Sequence, residues 1–255
     1  MTKRIEDLKV TGNKRLNNDF FILELSGNSK IPDFKPGQFA QVKVEGSQDT
    51  FLRRPVSIHD VDYDNNTFKI LIQVVGNATR SMSNLKVGDT LNLIYPLGNS
   101  FSLPDINEKV LLVGGGCGIA PLLFLGKYLK ANGITPDILL GFRNCERIIE
   151  YDEYLKIGKV FLTTEDGSLG EKGHVTAHSV FSTNKYDRIY CCGPDRMMKA
   201  IAGYSKSKNI ICEVSLENLM ACGIGACLCC IVDTVKGNLC TCIDGPIFNV
   251  NDLKW

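Results

Sequence analysis

Short runs of apolar, β-branched and aromatic residues dominate the first hundred positions. Residues 20–25, 39–44 and 68–75 each read as a strand, with turn residues between them: Asn17-Asn18-Asp19, Lys35-Pro36-Gly37 and Asp64-Asn65-Asn66. Many short strands with regular turns predict a small antiparallel barrel. One short helix is expected over 78–85. The rhythm changes at position 109. Residues 109–113 form a buried-type strand that runs into a glycine turn, and an apolar helix is predicted over 119–131, stopping near Gly133. Further strands are expected at 137–142, 159–164 and 188–192, with helical segments between them. Strands alternating with helices predict a parallel sheet, with ligands outside the carboxyl ends of the strands.

The chain has 255 residues, which suits about two domains. Hydrophobic residues make up 44% and charged residues 22%, an ordinary globular balance. A formal net charge of +1 gives no concentrated basic surface for nucleic acid or an anionic membrane. No apolar run is long enough to span a bilayer. The first residues carry charges of both signs and no apolar stretch, so no signal peptide is read and a cytoplasmic protein is predicted.

Eleven cysteines change the picture, because six of them fall between positions 222 and 242. An odd cysteine count in a long chain without a signal fits a secreted disulfide framework poorly, and clustered cysteines point to metal or iron–sulfur. Cys222, Cys227 and Cys230 have four and then two residues between them, the plant-type two-iron spacing. A zinc ribbon would instead place cysteine pairs on two separate knuckles. Gly223 and Gly225 suit a tight loop that turns backbone N–H groups toward the sulfurs. The spacing leaves the fourth ligand open between Cys240 and Cys242. Cys229, Cys117, Cys145, Cys191 and Cys212 are expected to be small packed hydrophobes.

Two kinds of phosphate or ring contact are also written in the chain. Arg53-Arg54-Pro55-Val56-Ser57 ends one barrel strand and begins another, and it can supply an arginine for a pyrophosphate and a hydroxyl for a flavin. Gly76-Asn77-Ala78-Thr79 precedes the short helix, whose N-terminus could take the same pyrophosphate. The run Gly114-Gly115-Gly116-Cys117-Gly118 joins a strand to a helix, a context for nucleotide approach or simply a tight turn. Cys192-Gly193-Pro194-Asp195 ends what reads as the last parallel strand, where a nicotinamide is expected. Glu165 and Asp166 would repel a 2′-phosphate near the ribose, which favours NADH over NADPH, although a solvated turn accounts for them equally well.

Taken in order, Arg54-Pro55-x-Ser57, Gly114-Gly115-Gly116-x-Gly118-x-x-Pro121 and Cys192-Gly193-Pro194 resemble the ferredoxin–NADP reductase superfamily. The cysteine module, with Cys242-x-Asp244-Gly245-Pro246-x-Phe248 behind it, resembles the electron-transfer subunits of NAD-dependent (type B) dihydroorotate dehydrogenase. That resemblance implies an α+β multidomain fold: an FAD-binding antiparallel β-barrel over 1–103, a central α/β parallel-sheet NAD-binding domain over 104–211, and a [2Fe-2S] module over 212–255. It assigns FAD to Arg54, Pro55, Val56, Ser57, Leu71, Ile72, Gln73, Ala78 and Thr79. It assigns the nicotinamide side to Gly115, Gly116, Gly118, Cys192, Gly193 and Pro194, and the cluster to Cys222, Cys227, Cys230 and Cys242. No side chain is expected to act as catalytic acid or base. The implied partner is an FMN-containing dihydroorotate dehydrogenase catalytic subunit, two of each per assembly, in pyrimidine biosynthesis. A related FAD/[2Fe-2S] subunit of an NAD(P)H–ferredoxin oxidoreductase is the alternative, and a zinc-stabilised module without redox function is a different class. The chain departs from the family pattern at Ala78, where glycine is usual, and at Cys117, where an aliphatic residue is usual. A backbone needing positive φ at position 78 would therefore be strained.

Overall fold

The computed structural model describes residues 2–44 and 50–255. Six strands close into an antiparallel barrel: β1 (Arg4–Arg15), β2 (Phe20–Ser26), β3 (Phe39–Lys43), β4 (Arg54–Asp62), β5 (Thr67–Gln73) and β6 (Thr90–Leu97), in the order β1-β2-β5-β4-β3-β6. A short helix, α1 (Asn77–Ser83), follows β5. Inward residues such as Leu8, Leu23, Ala40, Val42, Ile58, Ile70 and Leu93 fill the barrel, each fully buried. Burying one such side chain contributes about 1.5–3 kcal/mol. Strands β1 and β6 lie outside the sequence expectation. β1 is written mostly in charged residues, and only Leu8 and Val10 of it are buried.

The second layer is a seven-stranded sheet. Its strands are β7 (Val110–Gly115), β8 (Asp137–Phe142), β9 (Val160–Thr164), β10 (Glu171–Lys172), β11 (Arg188–Cys192), β12 (Ile211–Ser215) and β15 (Ile247–Asn249), ordered β10-β9-β8-β7-β11-β12-β15. All pair in parallel except β15, which runs antiparallel to β12. Cys192 therefore does not end the last parallel strand, as expected above, because β12 follows it in the chain and pairs with β11. β12 is only five residues long, and its register comes from β11 rather than from a hydrophobic run of its own. Helices α2 (Ala120–Ala131), α3 (Tyr151–Leu155), α4 (Val180–Thr183) and α5 (Asp195–Lys208) complete this part. α2 packs on barrel strand β4, where the His59 ring nitrogen Nδ1 lies 2.8 Å from the Ala120 carbonyl.

The cysteine-rich segment adds a hairpin, β13 (Ile231–Thr234) with β14 (Gly237–Cys240). Its base packs on the outer face of the barrel through Phe39, Leu97, Met220, Cys230, Cys240 and Cys242. Through β15 the segment also extends the parallel sheet. Among the described residues, no helix is long and apolar enough to cross a membrane.

Candidate functional site

The carboxyl ends of β7, β8, β9 and β11 open into a cleft of about 740 Å³ that reaches across to the barrel. Of the expected residues, Gln73, Gly115, Gly116, Gly118, Gly193 and Pro194 line it. A side chain at Gly118 would place its Cβ 2.4 Å from the Cys192 carbonyl carbon and oxygen. That glycine therefore permits a close crossing of the chain behind the cleft. Gly116, with φ +55°, has open space where a Cβ would stand.

Residues not singled out from the sequence share the same walls: Phe20, Arg143, Arg196 and Glu217. Arg143 follows the end of β8 and Arg196 opens α5, so the rule that ligands gather at strand ends points to both. Glu217 stands two residues past β12, a strand the sequence did not announce, in the Ser215-Leu216-Glu217 run that leads into the cysteine module. It stands in the cleft, 3.8 Å from the Cys192 sulfur. Burial raises the Glu217 carboxyl above its ordinary value. Burial, with the nearby Glu217 carboxylate adding to it, pushes the Cys117 thiol up to about 12. The Cys192 thiol is raised for the same two reasons, burial first. Burial therefore disfavours the charged form of each of these three groups. Glu165 also lines the cleft, with His174 3.9 Å away.

The remaining expected residues lie elsewhere. Arg54, Pro55, Val56 and Ser57 begin β4 and pair with Val42, Gln41, Ala40 and Phe39 of β3. The Arg54 guanidinium donates to the Leu52 and Arg53 carbonyls at 3.0 and 3.4 Å. Leu71 and Ile72 are packed into hydrophobic cores, so only their backbone is free to face a ligand. The Thr79 hydroxyl accepts the Val75 and Gly76 N–H groups at 2.9 and 3.1 Å and so caps α1. Ala78 is helical and is absent from the positive-φ positions, so the departure from glycine there carries no strain.

The cysteine loop is held by hydrogen bonds from backbone to sulfur. Ile224 N–H and Cys227 N–H both donate to the Cys222 sulfur at 3.4 Å. Cys229 N–H donates to the Cys227 sulfur at 3.5 Å, and Cys242 N–H to the Cys230 sulfur at 3.4 Å. Gly223 and Gly225 make this wrap with φ of +70° and +85°. Leu228 adopts φ +56° between Cys227 and Cys229, a conformation that costs a branched residue about 1–2 kcal/mol. The amide of Ile224, first, and then that of Cys227 hold the Cys222 thiol down to about 6 against the opposing effect of burial. Among the described residues no three His, Cys, Asp or Glu side chains converge on one point. Cys222 lies beside Cys227, and Cys230 lies beside Cys242. Thiols gathered around an anion-stabilising loop fit a thiolate-held two-iron cluster. Cys240 also lies beside Cys230, but its N–H is taken by Asp244 at 2.7 Å.

Two of the cysteines expected to pack are exposed instead. Cys229 is exposed together with Cys227 and Leu228 of the same loop, and Cys145 lies on a surface turn after β8. Cys191 and Cys212 are fully buried, as expected. Asn99 was not anticipated. Its N–H donates to the Gly245 carbonyl at 2.6 Å and its Nδ2 to the Asp244 and Ile247 carbonyls, while its Oδ1 accepts from Ile247 N–H. It fastens the segment after Cys242 to the barrel.

Comparison with known proteins agrees with this geometry. Residues 217–254 match the family described as the iron–sulfur cluster binding domain of dihydroorotate dehydrogenase B. Residues 7–101 match the oxidoreductase FAD-binding domain. The chain is 41% identical over 244 residues to the dihydroorotate dehydrogenase B (NAD(+)) electron transfer subunit of Caldanaerobacter subterraneus subsp. tengcongensis, covering 94% of each chain. It is 35% identical to the protein of the same name from Fusobacterium nucleatum subsp. nucleatum, covering 98% of this chain and 99% of the other. Among solved structures it resembles an NADH-dependent reduced ferredoxin–NADP oxidoreductase, with 31% identity, a TM-score of 0.88, and coverage of 97% of this chain and 90% of that one. Phthalate dioxygenase reductase shares the fold at 22% identity and a TM-score of 0.67, over 85% of this chain and 70% of that one.

Proposed function

The chain belongs to the family of dihydroorotate dehydrogenase B electron-transfer subunits, and from that membership we propose how its residues divide the work. It carries electrons between a dihydroorotate dehydrogenase catalytic subunit and NAD, using FAD and a [2Fe-2S] cluster, as an oxidoreductase subunit of pyrimidine biosynthesis. When bound, the cofactors supply the electron chemistry: two-electron exchange at the nicotinamide and one-electron exchange at the irons.

The protein supplies position. Cys222, Cys227, Cys230 and Cys242 hold the cluster. Arg54, Pro55, Val56, Ser57, Leu71, Ile72, Gln73, Ala78 and Thr79 hold FAD, with the Arg54 guanidinium, bonded among the described residues to the nearby Leu52 and Arg53 carbonyls, turning to the pyrophosphate. Gly115, Gly116, Gly118, Cys192, Gly193 and Pro194 receive the nicotinamide. Function then divides over 1–103, 104–211 and 212–255, with β12 and β15 seating the last unit on the central sheet. The catalytic partner carries FMN, and two of each subunit assemble in the cytoplasm. It docks on the exposed apolar residues around the cluster loop: Leu219, Ile224, Leu228, Ile231 and Ile243.

One observation supports this reading most directly. Glu217 stands in the nucleotide cleft, and Cys222 lies only five residues further along the chain. Five extended residues span at most about 18 Å, so the cleft and the cluster loop lie within that reach of each other. Anaerobic NADH should bleach the visible spectrum of protein loaded with iron, sulfide and FAD, and produce the paramagnetic signal of a reduced two-iron cluster. A loaded protein without that signal would sink the reading. Addition of an FMN-containing dihydroorotate dehydrogenase, dihydroorotate and NAD⁺ should yield NADH. Electron delivery to ferredoxin alone would favour the second reading, which the similarity to the ferredoxin–NADP oxidoreductase supports.

A further inference from the structure

Five buried side-chain nitrogen and oxygen atoms lack a hydrogen-bond partner among the described residues, and three of them flank the cysteine loop. They are Nε2 and Oε1 of Gln41 and Oγ1 of Thr241, and both residues are 0% exposed. An unmet buried polar group costs about 1–3 kcal/mol. Two such residues around one loop therefore call for a partner that the protein itself does not provide.

Gln41 is placed with care. On β3, Ala40 and Val42 fill the barrel core, so Gln41 and Phe39 point outward under the cysteine module. Its cross-strand neighbour is Pro55 of the expected flavin motif. Its side chain lies against Gly223, where a Cβ would fall 2.6 Å from Gln41 Cγ and 2.8 Å from Nε2. Its backbone carbonyl accepts the Arg53 guanidinium at 3.2 Å, and that guanidinium also bonds the Asn92 carbonyl at 3.2 Å. The strand beneath Gln41 is thus pinned, and the loop above it has been kept free of a side chain. Thr241 sits between Cys240 and Cys242, and its N–H is already bonded to the Cys230 carbonyl. Only its hydroxyl remains unmet.

We infer that Gln41 is a positioning residue for the cluster. Its side-chain amide donates a hydrogen bond to a sulfur held by the cysteine loop, linking the flavin-bearing strands to the irons and raising the cluster's reduction potential. The inference rests on the functional reading above. Reduction adds negative charge to the cluster, and a buried N–H aimed at its sulfur favours that charge. Gln41 acts beside the loop's own amides, which already serve Cys222, Cys227 and Cys230.

The test uses the full-length holoprotein and its Gln41→Leu and Gln41→Met variants. Loaded variants should keep their iron, sulfide and FAD contents. Their cluster midpoint, followed by paramagnetic resonance, should fall by about 59 mV, a tenfold change for one electron. Protein labelled with ¹⁵N in its glutamine side chains should show nitrogen coupling to the reduced cluster, and neither variant should. A loaded Gln41→Met protein with an unchanged midpoint overturns the proposal. If neither variant holds a cluster, the labelled parent decides, and absence of side-chain nitrogen coupling overturns it. A parent protein that binds no cluster at all overturns the functional reading itself, a failure distinct from a loaded cluster with no Gln41 coupling.

Discussion

The nucleotide cleft and the cysteine loop treat charge in opposite ways. In the cleft, burial pushes Cys117, Cys192 and Glu217 toward their neutral forms. By Cys227, five residues beyond Cys222, the chain has closed a loop whose amides pull the Cys222 thiol toward its anion. The first region is a cleft built from strand ends, with Glu217 buried in its wall. The second is a nest of N–H groups suited to holding thiolates on metal. The two regions also differ in what supports them. The cleft rests on a seven-stranded ladder, whereas the loop rests on long N–H to sulfur bonds and a left-handed Leu228. We therefore expect the loop to depend on its metal more than the cleft depends on its ligand.

The largest expected effect separates the two outright. Cys227→Ser should abolish the iron–sulfur absorbance and electron delivery to the partner, while NADH still reduces the FAD. Retention of a full cluster would show that Cys227 is not a ligand and would undo the comparison. Gly118→Ala should do the reverse. Its new Cβ meets the Cys192 carbonyl at 2.4 Å, a backbone clash that no rotamer relieves. We expect a loss of about 1–3 kcal/mol and a weaker apparent affinity for NADH, with an intact cluster spectrum. A thermal melt and a nucleotide titration check both parts.

Much of this contrast is legible in the chain. The Cys222, Cys227, Cys230 spacing and the glycine turn after β7 announce themselves because local geometry demands particular residues at fixed intervals. The strands at 137–142 and 188–192 are equally plain, being short and free of charge after a single charged first residue. What escapes is long-range. Asn99 and Gln41 are ordinary polar residues until the fold brings 244–247 and Gly223 against them. β12 and β15 hide because each depends on a neighbouring strand for its register. Cys229 shows the limit of composition: a cysteine is usually buried, but this one lies in a stretch of the loop, 226–229, that is exposed throughout.

Asn99 offers a smaller and sharper probe of the seam between loop and barrel. Asn99→Ala removes three side-chain bonds to 244–247 and leaves two carbonyls and one N–H to find water. A local loss of about 2 kcal/mol follows, seen as roughly thirtyfold faster amide exchange at Ile247. Exchange within β7 and β8 should not change. Equal acceleration in both places would mean that loop and sheet open as one unit, against the independence argued above.

The smallest effect tests the sign of the cleft's charge preference. The folded protein keeps the Glu217 carboxyl protonated to a higher pH than the unfolded chain does, because burial raises its value above the ordinary 4.5. The folded state therefore binds more protons over that interval, and stability must fall as pH rises through it. Below the unfolded value both states are protonated and the contribution is fully present; above the folded value it is gone. Glu217→Gln cannot ionise, so its stability should fall less steeply with pH over that window than that of the parent. Denaturant unfolding of both proteins, free of nicotinamide, at several values from about pH 4.5 upward measures the difference in slope. A parent whose stability instead rises over that interval relative to the variant would mean that the carboxylate is stabilised in place. The cleft floor would then be a site for charge rather than a wall against it, and the contrast with Cys222 would collapse.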